Sequence, residues 1–204
     1  AGADMTMGEG VALNFAGTFT DAGAGDTHTG TIDWGDSSGE AAVITETDGT
    51  GTASATHTYA NEGTFTLTLT VTDDDGASTT DMKVVTISNS APVVDAGGDM
   101  TMNEAENVAV SGTFTDAGAG DTHTATIDWG DGTVDAVSAA GGVVTGLHPY
   151  ADNGTYTVTV TVTDNSNVSG TDIKVVTINN VDPSVDLGAD MSAEEGDTIS
   201  ISGA

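Results

Sequence analysis

Thr64-Phe-Thr-Leu-Thr-Leu-Thr-Val-Thr72 alternates threonine with an apolar residue at every step. Such alternation marks a half-buried antiparallel strand, with one face on the core and one face wet. Thr155-Tyr-Thr-Val-Thr-Val-Thr-Val-Thr163 repeats the pattern. Working outward, Val11–Thr20, Thr27–Trp34, Ala41–Glu46, Thr52–Tyr59 and Met82–Ile87 are further strand candidates, separated by Gly, Asp and Asn clusters. No stretch reads as an amphipathic helix. The expectation is an all-β chain of two-sheet sandwiches with about seven strands each.

The chain repeats itself. Gly17–Thr29 recurs without change at Gly112–Thr124, and Thr31-Ile-Asp-Trp-Gly-Asp36 recurs at Thr126–Asp131. The offset is 95 in both cases, but it falls to 91 by Val84–Ile87 and Val175–Ile178. The second copy is therefore four residues shorter, and the loss lies between Ser37 and Thr56. Asp4-Met5 matches Asp99-Met100 and Asp190-Met191, so a third copy begins. A period of about 90 residues is a small domain rather than a solenoid turn. The expected units are 1–90, with its first strand truncated, 91–181, and the opening strands of a third at 182–204. The chain starts and stops within a unit, as a window on a longer array would, and any signal or anchor is expected outside it.

Thirty-two acidic residues face only Lys83 and Lys174, for a formal net charge of −30. A nucleic-acid partner needs clustered Lys and Arg, and anionic membranes need basic patches, so neither fits. No apolar run reaches membrane length. Self-repulsion on this scale is relieved by salt or by bound cations. High-salt adaptation, solubility and divalent-cation binding all remain open from composition alone. There is no cysteine, so packing or metal must do the work of disulfide staples.

Asp33-Trp-Gly-Asp36, then His57-x-Tyr59, then Gly63–Asp73 resemble the PKD (polycystic kidney disease) domain. Asp128-Trp-Gly-Asp131, His148-Pro-Tyr150 and Gly154-Thr-Tyr156 carry the same resemblance in the second unit. The resemblance implies tandem immunoglobulin-like sandwiches. It also implies a non-catalytic module of an extracellular or cell-surface protein: a rod, spacer or fibre, with adhesion as one use. The alternative is a polysaccharide- or protein-binding accessory module of a secreted hydrolase. Expected partners are neighbouring repeats, other copies in a fibre, and an extracellular surface or polysaccharide.

Trp34 and Trp129 are expected to fill the cores. Asp36 and Asp131 are expected to satisfy the turns beside Gly35 and Gly130. Tyr59 and Tyr150 sit where a corner tyrosine bonds backbone, and His57 and His148 read as packed structural residues. Gly35-Asp-Ser-Ser-Gly39 fits a nucleophile string, but the second copy lacks the serine and the turn joins strand to strand.

Calcium is the cofactor expected, because hard cations take several oxygen ligands. In seven alternating strands, the loop holding Asp21 and Asp26 and the loop holding Asp73 and Asp75 share one end. Asp116, Asp121 and Asp164 are their counterparts in the second unit. Glu9, matched by Glu104 and Glu195, lies at the opposite end with Asn89 of the linker Asn89-Ser-Ala-Pro92. End-to-end stacking puts Glu9 and Asn89 against Asp116, Asp121 and Asp164, an acid-lined junction. The competing reading is that turns simply favour Asp and Gly. Residues 182–204 are expected to belong to an interrupted array or to donate strands to another chain.

Overall fold

The computed structural model describes residues 2–23, 25–186 and 192–198. The first unit holds strands β1 (Met5–Gly8), β2 (Ala12–Thr20), β3 (His28–Asp33), β4 (Gly39–Thr47), β5 (Thr50–Thr58), β6 (Gly63–Asp73) and β7 (Ser78–Ser88). The second holds β8 (Val93–Asp95), β9 (Met100–Asn103), β10 (Asn107–Thr115), β11 (Thr124–Asp128), β12 (Val134–Val137), β13 (Val143–Pro149), β14 (Gly154–Thr163) and β15 (Ser169–Asn179).

The threonine-alternating stretches become the central strands β6 and β14. Leu67, Leu69 and Val71 of β6 are buried in one core, and Val158, Val160 and Val162 of β14 in the other. β6 lies antiparallel between β3 and β7, and β14 between β11 and β15. Each core closes around a fully buried tryptophan, Trp34 with Leu13, Phe15 and Ile32, and Trp129 with Val108, Val110 and Ile127.

The pairing is not wholly antiparallel. β1 runs parallel to β7, with Met5 opposite Val85, and β9 runs parallel to β15, with Met100 opposite Val176. The leading segment of the second unit changes sheets: β8 pairs with β10 in one sheet, and β9 joins the other. Asp99 pins this crossing, its Oδ1 accepting Val175 N at 2.8 Å, and Asp4 pins the start of β1 in the same way, accepting Val84 N at 2.9 Å.

The four-residue loss changes how the sandwich closes. In the first unit, Gly39–Ala42 of β4 pairs with β3 while Val43–Thr47 pairs with β5, so seven strands form one continuous ladder. In the second unit, β12 pairs with β11 and β13 with β10, as separate five- and three-stranded sheets. A 3-10 turn at Ala140–Gly142 links them, with Gly141 and Gly142 both at positive φ, which glycine adopts without strain. The seam stays open as a groove lined by Phe114, His123, Val137 and Ala140.

Of the third unit, Asp182–Asp186 and Ser192–Thr198 carry no strand. Residues 187–191 and 199–204, where its opening strands were otherwise expected, lie outside the described residues.

Candidate functional site

The Trp-Gly-Asp turn is a structural staple. Asp33 Oδ1 accepts Gly35 N at 2.8 Å. Gly35 has φ 81°, and a Cβ there would sit 2.7 Å from the Thr66 carbonyl oxygen, so only glycine fits. Asp36 Oδ1 accepts Ser38 N at 3.0 Å, while its Oδ2 meets His57 Nε2 at 2.8 Å. His57 stacks on Trp34 at 4.8 Å, and Tyr59 Oη donates to the Trp34 carbonyl at 2.9 Å. The second unit repeats this with Asp128, Asp131, His148, Trp129 and Tyr150, whose Oη donates to Trp129 O at 2.7 Å.

The electrostatics of the turn follow from that network. Burial alone would raise the Asp131 carboxyl, yet hydrogen bonds from Thr133 and His148 hold it down to about 2. Burial, then the nearby aspartates, push Tyr59 and Tyr150 up to about 12. The Gly35–Gly39 string joins β3 to β4, and the Ser38 hydroxyl is occupied by Asp36 at 2.5 Å.

At the leading end of the first unit, Asp21, Asp26 and Asp73 each offer an oxygen within 4.8 Å of the others. Asp21 Oδ1 accepts Gly23 N at 3.1 Å, and its Oδ2 meets His28 Nε2 at 2.9 Å. His28 is held from its other side by Glu46 at 2.7 Å. The Gly23 N–H and His28 draw the Asp21 carboxyl below its ordinary value, whereas burial and then Asp74 and Asp21 push Asp26 up. Asp75 stands exposed in the turn, outside this cluster.

The second acidic group spans the two units. Glu9, in the turn after β1, reaches Asp116 and Asp121 of the second unit, and one oxygen from each lies within 4.8 Å of the rest. Glu9 is 1% exposed. Its Oε1 accepts Ser90 N at 2.8 Å from the linker, while Oε2 is buried with no hydrogen-bond partner. Asn89 Nδ2 donates to Asp164 Oδ2 at 2.8 Å, and Asn89 Oδ1 is likewise buried and unpartnered, as is Asp121 Oδ2. Asp116 Oδ2 meets His123 Nε2 at 2.7 Å. Burial raises both Glu9 and Asp121, and the neighbouring carboxylates raise them further. Asp164 Oδ1 caps its own turn by accepting Ser166 N and Val168 N.

Backbone and side chains hold this joint together around the acids. Ala119 N donates to Ala60 O at 3.0 Å, Gly120 N to Asn61 Oδ1 at 3.0 Å, and Ser166 Oγ to Glu62 Oε1 at 2.6 Å. Gly10 packs so closely on Ala117 that a Cβ there would fall 3.1 Å from the Ala117 Cβ. Sequence reading missed Asn61 and Glu62, and it missed the clasp of His28 and His123 on Asp21 and Asp116. The only signal was that both histidines lie in the unchanged 13-residue repeat. Glu104 and Asn180 occupy the positions of Glu9 and Asn89 at the trailing end of the second unit, where Glu104 Oε1 accepts Val181 N at 2.8 Å.

No curated protein matches the sequence. Solved structures similar to it include the PKD domain of a peptidase from a Thermoplasmatales archaeon, at 26% identity over 45% of this chain and 98% of that one, with a TM-score of 0.39. Fibronectin(III)-like modules from Clostridium thermocellum match at 15% identity, over 87% of this chain and 90% of theirs, with a TM-score of 0.37. Mouse Cadherin-23 matches at 17% identity, over 88% of this chain and 62% of that one, with a TM-score of 0.40. PKD domains are generally non-catalytic, are found as accessory domains of peptidases and hydrolases, and occur in extracellular proteins. No helix among the described residues is long and apolar enough to cross a membrane. The PKD domain profile matches residues 1–87 and again residues 89–178, and the chain belongs to the PKD domain family as two tandem immunoglobulin-like units.

Proposed function

We propose that the chain is a non-catalytic structural or adhesive segment of a secreted or cell-surface protein, a rod whose units are stiffened by Ca²⁺ at their ends. The observation that carries this reading is the joint. Among the described residues, the two units meet through a backbone hydrogen bond, three side-chain hydrogen bonds and close packing at Gly10, rather than through a free tether. A short linker containing Pro92 adds to the restraint. Each unit's first partner in this reading is the next unit of the same chain.

An accessory module docking on polysaccharide would present aromatic platforms. All nine aromatic side chains are instead buried or half-buried, and Trp34, Trp129, Tyr59 and Tyr150 are committed to the cores. That favours the rod.

Small-angle scattering of the chain tests it. With strands of about ten residues at ~3.4 Å each plus loops, a unit spans roughly 35–40 Å. The expected particle has a maximum dimension near twice that and a narrow distribution of inter-unit angles. A broad distribution that reaches folded-back pairs would sink the rod.

A further inference from the structure

We propose that the joint is a composite calcium site, with Glu9 and Asn89 supplied by the first unit and its linker and Asp116 and Asp121 by the second. The proposal deepens the rod reading and rests on it for its use, but the site stands on its own observations.

Clustered acids at turns are ordinary. At this joint, however, three buried oxygens have nothing to accept from: Glu9 Oε2, Asn89 Oδ1 and Asp121 Oδ2. Buried polar atoms in folded proteins are nearly always paired, and an orphan calls for an explanation such as an ion. All three belong to acceptor-only positions at one joint. Glu9 is nearly sealed from solvent, so bulk water cannot serve it.

The surroundings leave these oxygens free by using up the other atoms. Ser90 N occupies Glu9 Oε1, and the Asn89 amide donates to Asp164. A carboxylate can only accept, so this bond fixes the Asn89 orientation and makes its second atom the carbonyl oxygen. His123 is engaged by Asp116. The result is three carboxylates gathered within 4.8 Å of one another, with one unpartnered amide carbonyl at the same joint, all hard oxygen donors. Ca²⁺ takes six to eight such ligands in flexible geometry, with water or backbone oxygen completing the shell, whereas Mg²⁺ demands a strict octahedron.

Asp21, Asp26 and Asp73 make the contrast. They gather at the same spacing, but they are half-exposed, and none of the orphaned oxygens belongs to them. They correspond to the Asp half of the joint without its Glu and Asn. The composite site is therefore the tight one, and its ligands meet only when the units are docked.

Calorimetric titration of the intact chain with CaCl₂, and separately with MgCl₂, tests this. The expected result is one Ca²⁺ bound per chain in the tighter class, with at least tenfold weaker Mg²⁺ binding. Glu9→Gln and Asp121→Asn each weaken that Ca²⁺ site tenfold or more, while Asp26→Asn leaves it unchanged. Both first substitutions keep shape, and near-ultraviolet circular dichroism of Trp34 and Trp129 verifies that the cores are folded. No Ca²⁺ binding, equal response to Mg²⁺, binding that survives both joint variants, or loss in Asp26→Asn overturns the site. Scattering from the same samples keeps the two ideas apart. A chain that stays extended in EDTA and takes up no Ca²⁺ keeps the extended shape and loses both the site and the Ca²⁺ stiffening of the rod. A chain that binds Ca²⁺ as expected but bends freely keeps the site and loses the rod.

Discussion

The side-chain amide of Asn89 donates to Asp164 Oδ2 at 2.8 Å, and this bond ties the linker to the turn after β14. Asp164 simultaneously caps Ser166 N and Val168 N, so the linker is fastened to a turn that is itself rigid.

Asn89→Ala should therefore loosen the joint and leave the units folded. Hydrogen bonds to charged groups are worth about 1.5–3 kcal/mol, and that loss should fall on docking. Residual dipolar couplings should then report a wider inter-unit distribution, with unchanged couplings within each unit. Asp164→Ala should do more, because it also uncaps the turn.

Tyr59→Phe and Tyr150→Phe remove the donor to a tryptophan carbonyl inside each core. An unsatisfied buried carbonyl costs about 1–3 kcal/mol. Each variant should lower the melting temperature of its own unit by several degrees in calorimetry, with the other unit unmoved.

Trp129→Ala should cost the second unit about 3–5 kcal/mol, as large-to-small changes at aromatic core positions do. Urea unfolding followed by the remaining Trp34 fluorescence should show the first unit intact. Equal loss in both units would mean that the cores are coupled through the joint.

Acid should attack the Asp131–His148 clasp in a defined window. The folded Asp131 carboxyl sits at about 2, below its ordinary value of 3.8. Such a group lends stability above its unfolded pKa and loses it as pH falls through the folded one. The second unit should thus weaken between about pH 4 and pH 2. Asp131→Asn should flatten that part of its stability profile, as thermal melts across the range would show.

Much of the fold could be read locally. Thr64–Thr72 exposes one face of a strand at every second residue, and a two-residue period survives whatever packs around it. The Trp-Gly-Asp turn was also legible, since Gly35 and its aspartates act within a few residues of chain. The parallel partners β1 and β9 were not, because Met-Thr-Met is too short a period to stand out. Their place is decided by Asp4 and Asp99 reaching strands some 80 residues away.

The sequence by itself determined the two units, their shared core tryptophans and the acidic loops at one end of each. Tertiary structure alone decided which acids meet. Asp75 lies two residues from Asp73 in the chain yet stands exposed to solvent, while Glu9 and Asp121, far apart in sequence, come within 4.8 Å of each other. The physical reason is that a carboxylate's neighbours across a joint depend on how two rigid bodies dock. That docking rests on a few contacts, such as Ala60 with Ala119 and Gly10 with Ala117, that no local pattern announces.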